Sequence, residues 1–149
     1  TSGSLISIEA SKQVDLPRMD LFIDGVDLDY GLQLRKQGCH NIVVYDARMN
    51  HHLGEPMLVR LLGKSFHIHN YSPLRFYYFY RNHTFLEIQN AQSSSAKVLA
   101  LLNRLKCMTR TLISTGLFRE RKMARMAACV LGTYHGLRGV LGKREKWSF

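Results

Sequence analysis

Residues 21–38 read LFIDGVDLDYGLQLRKQG, and the shape they take decides how the rest of the chain is arranged. Leu28, Leu32 and Leu34, with Tyr30, supply the apolar positions of a helix of roughly two or three turns. Gly38 offers a C-terminal stop, and Arg35 and Lys36 sit where the negative end of the helix dipole favours cations. Asp24 and Asp27 fall at the N-terminal side, where carboxylates are electrostatically favoured. With Asp29 they form a cluster that repels itself unless a cation or a basic side chain lies close. Three jobs suit such a cluster: capping the helix, acting as a general base, or ligating Mg2+ or Mn2+.

Upstream, LISIEASKQV at 5–14 fits a short strand running into a helical turn, with a further turn near Pro17. Downstream, Ile42, Val43, Val44 and Tyr45 make a β-branched and aromatic run expected to be a buried strand. The loop HHLGEP ends it at 51–56, and residues 58–69 fit either a strand or a loop. His51 and His52 at a strand end, followed by His67 and His69 on alternate positions, could ligate a metal. No second pair has zinc-finger spacing, so one histidine sharing a metal with phosphate oxygens is the better reading.

SPLRFYYFYRNHTFLEIQ predicts a helix with Ser72 as N-cap and Pro73 at its first position. Leu74, Tyr77, Tyr78, Arg81, Phe85 and Ile88 would form its packing stripe. Arg75 and Arg81 among those aromatics could clamp a phosphate or a sugar, or could be part of an aromatic core. QSSSAK at 92–97 is a helix start and the expected boundary between a first domain, 1–96, and a second, 97–149. Beyond it Val98, Leu101, Leu102, Leu105, Met108 and Leu112 share one side of a basic amphipathic helix that Gly116 is expected to break. A second helix over 119–137 carries Ala124, Ala128, Gly132 and Gly136 at every fourth position, a ridge that permits close packing on the body or burial in a membrane.

The formal net charge is +10, and its location matters more than its size. Residues 97–149 hold twelve Lys and Arg against Glu120 and Glu145, whereas the preceding residues balance. Such a segment suits an anionic membrane surface or a nucleic acid. Three widely spaced cysteines, Cys39, Cys107 and Cys129, argue against a disulfide framework or zinc ribbon and suggest a reducing compartment. The start of the chain has no secretory or transit pattern, and no uncharged apolar run approaches the roughly 18–20 residues needed to cross a bilayer. A nucleophile elbow, a Walker loop, a dinucleotide fingerprint and a kinase signature are all missing.

Five ordered segments together carry a resemblance: SGSLISIEA, FIDGVDLDYGLQLRKQG, YDARMNHHLGE, YSPLRFYYFYRN and GTYHGLRGVLGK. In that order the chain resembles the C-terminal part of family-two inverting glycosyltransferases, nearest to bacterial rhamnosyltransferases. The resemblance implies an α/β fold: a helix-rich C-terminal portion of the GT-A (nucleotide-diphospho-sugar transferase) fold with a basic helical tail. It implies that Asp27 is the catalytic base, that His51 helps bind Mg2+ or Mn2+, and that Asp24 lines the acceptor side. Arg75 and Arg81, with Asn82, match the helix pattern SPxRxYYxxRN and are expected on the acceptor-binding side.

The implied partners are a nucleotide-sugar donor such as dTDP-rhamnose and a lipid-linked glycan acceptor of a cell-surface polysaccharide, with no nucleic acid. Residues 97–149 would hold the enzyme peripherally on the cytoplasmic face of the cell membrane, and a homo-oligomer is possible. The segment is expected to be a truncated form, inactive alone, because the nucleotide-binding region and its DxD metal motif have no counterpart in it. The rivals are a non-enzymatic basic module that binds membrane or nucleic acid, and a metal-binding domain built on His51, His52, His67 and His69. Three departures from the family stand out: Val26 where many relatives carry a carboxylate (though the rhamnosyl subgroup shares the valine), Gln33 where Arg is frequent, and His135 in place of Asp.

Overall fold

The computed structural model describes residues 3–50, 56–61, 64–69, 71–118 and 122–144. They cluster into two compact units, one of Thr1–Arg18 with Val26–Asn70, the other of Met19–Gly25 with Tyr71–Phe149. Residues 71–96 therefore cluster with the basic segment that follows them, not with residues 26–70.

The first unit opens with a single helical turn, α1 (Ile8–Ser11), where the Ser7 hydroxyl accepts from the Ala10 N–H at 3.2 Å. The strand expected from residue 5 does not form: a local cap competes successfully for backbone that has no neighbouring strand. Helix α2 (Val26–Lys36) follows the decisive stretch as expected, burying Leu34 and Asp29. It ends at Gly38 in a two-bond cap, Cys39 N–H to the Leu34 carbonyl at 3.0 Å and Gly38 N–H to the Arg35 carbonyl at 3.1 Å.

The buried strand expected at 42–45 is overturned. Those residues are irregular, and Ile42, Val43, Val44 and Tyr45 are all exposed. The sheet among the described residues is one antiparallel hairpin, β1 (Pro56–Leu61) with β2 (Lys64–His69), so no ladder reaches residue 42. In its register Pro56 lies opposite His69 and Leu58 opposite His67. The stretch that fits either strand or loop is thus a hairpin. With this little sheet, the described residues are helix-rich and do not make up a complete GT-A fold.

The second unit is built on α3 (Pro73–Gln89), capped by Ser72, whose hydroxyl accepts from the Arg75 N–H at 3.3 Å, with Pro73 at its start. Helix α4 (Ser94–Phe118) is capped by Ser93, which accepts from the Ala96 N–H at 3.1 Å. Gly116 does not break it; α4 runs on to Phe118. A glycine inside a helix costs about 1 kcal/mol relative to alanine, too little to stop a helix anchored elsewhere along its length. Helix α5 (Lys122–Arg138) completes the unit.

Paired contacts give the helix directions. Gly132 and Gly136 of α5 face Tyr77 and Arg81 of α3, advancing together, so these two helices run the same way. Arg104 and Thr111 of α4 meet Glu87 and Tyr80 of α3 in reversed order, so α4 runs the opposite way. The ridge expected on α5 packs against α3. A Cβ on Gly132 would stand 2.5 Å from the Tyr77 carbonyl oxygen, and one on Gly136 would run into the Arg81 carbonyl oxygen. Around this contact lies a core of Phe76, Tyr77, Tyr78, Tyr80, Ala128 and Cys129, with Cys107, Met108 and Leu112 of α4 packed on it.

The stripe predicted for α4 is divided by this packing. Met108 and Leu112 reach the core, but Val98, Leu101, Leu102 and Leu105 stay exposed. The helix meets α3 along Arg104, Cys107 and Thr111, which lie on the opposite side of the wheel from Leu102.

Candidate active site

Residues 19–25 hold the most constrained backbone in the second unit. A 3-10 turn, Met19–Leu21, leads into Phe22 at φ 65°, Asp24 at φ 56° and Gly25 at φ 86°. Non-glycine residues with positive φ cost on the order of 1–3 kcal/mol each and persist where the surroundings over-determine them. At Gly25 the absence of a side chain also matters, because a Cβ would press on Asn82 and Leu86 at 3.3 Å.

Two consecutive residues of α3 supply the constraint. Asn82, fully buried, points its amide Nδ2 at the carbonyls of Leu21 (2.8 Å), Ile23 (2.7 Å) and Asp24 (2.7 Å). Arg81 donates from Nε to Asn82 Oδ1 at 2.7 Å, which leaves both amide protons of Asn82 for the loop. Its other nitrogens donate to the carbonyls of Gly142 (2.6 Å), Asp20 (3.2 Å) and Leu21 (3.0 Å). The guanidinium lies over the rings of Tyr78 at 4.7 Å and Tyr77 at 5.5 Å. At 1 % exposure Arg81 supports the loop from beneath and is not at a surface that a ligand reaches.

The C-terminal segment closes the same knot. Gly142 N–H donates to the Asp20 carbonyl at 2.6 Å, Arg144 N–H to the Tyr78 hydroxyl at 2.8 Å, and the Lys143 ammonium lies 5.6 Å from the centre of the Phe22 ring. Two expected residues come together above this support. Arg75 donates to both carboxylate oxygens of Asp24 at 3.3 Å while stacking 4.2 Å over Tyr71. The Asp24 side chain is 17 % exposed, so the pair lies at the edge of solvent.

Asp27 belongs to the other unit, in the first turn of α2, and is exposed. Asp29, two residues on, is buried and accepts from Gln33 Nε2 at 2.8 Å. The three carboxylates of the sequence cluster thus differ in setting: one ion-paired, one exposed, one buried and hydrogen-bonded. His51 and His52 lie outside the described residues. Among the described residues no three His, Cys, Asp or Glu side chains converge to hold a metal ion.

Sequence reasoning missed the division of labour in YYFYRN, where Arg81 and Asn82 are structural and Arg75 alone meets Asp24. No pattern in the sequence separates them, because the difference is one of burial. His135, noted in the sequence only as a departure from the family, has its Nδ1 2.8 Å from the Tyr77 hydroxyl. Partial burial, then the nearby cations Arg144 and Arg81, hold the His135 imidazole below its ordinary pKa. His83 is lowered too, by burial and then by Arg104, against an opposing pull from Asp24. Burial pushes the Tyr80 phenol well above its usual range, where it stays protonated and donates to Thr111 Oγ1 at 2.6 Å.

No protein-family profile matches the chain, and no solved structure matches it. Among curated proteins it is 30% identical over 145 residues to dTDP-rhamnosyl transferase RfbF of Shigella flexneri. This chain is similar to a glycosyltransferase. The similarity covers 95% of the chain but 46% of that glycosyltransferase, so the chain spans less than half of its relative's length. Within it fall both the clamped loop carrying Asp24 and the helix start carrying Asp27, since almost the whole chain is matched.

Proposed function

We propose that this chain is the acceptor-side portion of an inverting glycosyltransferase, in which Asp27 takes the proton from the acceptor hydroxyl. The likeness to a dTDP-rhamnosyl transferase supports the class. The observation that carries the site is the strained 22–25 backbone, locked by Asn82 and Arg81 immediately before α2 begins. Positive-φ residues held this firmly belong to places where geometry must be kept. An exposed carboxylate in the first turn of a helix is reachable, as a base must be.

The proposed chemistry is an in-line displacement. The acceptor oxygen attacks the anomeric carbon of a nucleotide-activated sugar from the face opposite the diphosphate. The proton goes to Asp27, the C–O bond to the diphosphate breaks, and the anomeric configuration inverts. Asp24, held by Arg75, is proposed to receive acceptor hydroxyls. Rhamnose or a related sugar is the proposed cargo, and a lipid-linked glycan at the inner membrane face the proposed acceptor. The described residues do not fit a divalent ion by themselves, so Mg2+ or Mn2+ would have to draw its ligands elsewhere, His51 among the candidates.

The test is sugar transfer by the polypeptide as the cell makes it, with nucleotide-sugar and polyprenol-linked glycan. Asp27→Asn is expected to lower the rate by about 10²–10⁴ while donor affinity stays unchanged. A variant transferring at the parent rate would remove Asp27 from the reaction.

A further inference from the structure

The outward side of α4 carries an aliphatic stripe that the core does not use. Val98, Leu102, Leu105 and Ile113 lie at helical spacing with exposures of 56%, 57%, 55% and 58%. Isolated exposed leucines are ordinary, but a continuous stripe marks an interaction surface. Lys106 and Arg110 border it on one side and Lys97 on the other, all three exposed. Arg104 alone turns inward, to Glu87 at 2.7 Å. Neither α4 nor α5 contains an acidic residue.

We propose that this face of α4 docks on an anionic lipid bilayer, with its aliphatic stripe at the headgroup boundary and Lys97, Lys106 and Arg110 at the level of the phosphates. The proposal stands apart from the enzymatic reading, since it uses none of the residues around the 19–25 loop. Charge complementarity selects the occupant. A second copy would bring an equally acid-free, basic face against this one, leaving three cations without partners. A nucleic acid is met by cations aligned with its phosphates across the whole contact, whereas here the centre of the face is aliphatic and the cations are at its margins. An interfacial helix needs this layout: apolar centre, basic borders, long side chains reaching outward to lipid phosphate. Because Arg104 ties α4 to α3, docking would fix the orientation of α3 at the surface as well.

Flotation of the chain with vesicles of phosphatidylcholine, alone or mixed with phosphatidylglycerol, tests the assignment. Binding to the mixed vesicles should be at least about tenfold tighter than to the neutral ones. Leu102→Ser with Leu105→Ser should weaken it by about tenfold or more without changing helicity or thermal midpoint, since both side chains are outside the core. Ile113→Ser, a smaller change on the same stripe, should weaken it several-fold and serves if the double variant loses helix. Lys106→Glu with Arg110→Glu should abolish the preference for the anionic lipid. Equal binding to both vesicles overturns the proposal, as does full-strength binding by the serine variants. So would a dimer in sedimentation that the serine changes dissolve while vesicles go unbound, which would make a second copy the occupant. Binding to an oligonucleotide but to no vesicle would likewise overturn it.

Discussion

Asn82 does more for the candidate site than any residue expected to touch a substrate. Its one amide serves three loop carbonyls, and its orientation is set by Arg81 rather than by chance. Asn82→Asp keeps the shape but replaces two donors with an acceptor facing carbonyl oxygens. Leaving buried acceptors unsatisfied costs about 1–3 kcal/mol, so a loss of about 3 kcal/mol in unfolding free energy is expected from urea titration. A histidine pair sets a pH dependence. His83 and His135 both titrate below 6.5 in the fold, so the unfolded chain takes up their protons first as the pH falls. Stability is therefore fullest above about pH 6.5 and declines below it, levelling once the folded pKa values are passed. Glu87, raised by burial, acts in the opposite sense as the pH rises above 4.5, and so subtracts from the effect of the histidines. Urea midpoints at about pH 7.5 and pH 5.5 should differ in that direction, and His83→Gln with His135→Gln should flatten the difference. The identity of the residues was legible; their roles were not. Arg75 and Arg81 look alike in SPLRFYYFYRN, and burial alone separates the one that meets Asp24 from the one under the loop.

At the scale of elements, the approach of α5 to α3 governs everything packed around it. Gly136→Ala would gain about 1 kcal/mol of helix propensity. Against that, the new methyl meets backbone atoms of Arg81, which cannot swing aside as a side chain could. The clash wins, because overpacking of this kind costs about 1–3 kcal/mol and here moves the helix that carries Asn82. A net fall of about 2 kcal/mol is expected by calorimetry or urea, and an unchanged or raised stability would contradict the close contact. Ser72→Ala removes the α3 cap and should cost about 1 kcal/mol. Helices α2 and α3 were legible because caps, stops and periodicity agree: Ser72 and Pro73 start one, Gly38 ends the other. The run at 42–45 misled because β-branched residues signal a strand only where another strand is there to pair with it, and pairing is not local.

Across the whole molecule, order is unequally distributed. Among the described residues the second unit contains most of the buried side chains, Leu21 and those from Phe76 to Cys129, while the first buries Asp29 and Leu34. Hydrogen exchange should accordingly be slowest in α3 and α5, intermediate in α2 and fastest at 39–50. Protection at 39–50 equal to that of α3 would contradict the arrangement. Among the described residues no helix is long and apolar enough to cross a membrane. The sequence by itself determined the starts and stops of α2 and α3, the small-residue ridge on α5 and the likeness to a glycosyltransferase, because each of these is written in local spacing or in residue order. The tertiary structure alone decided which side of α4 faces the core, which arginine underlies the loop and which aspartate stays exposed. Those outcomes depend on partners dozens of residues away, as Asn82 and Leu21 are, and no local pattern records whom a side chain will meet.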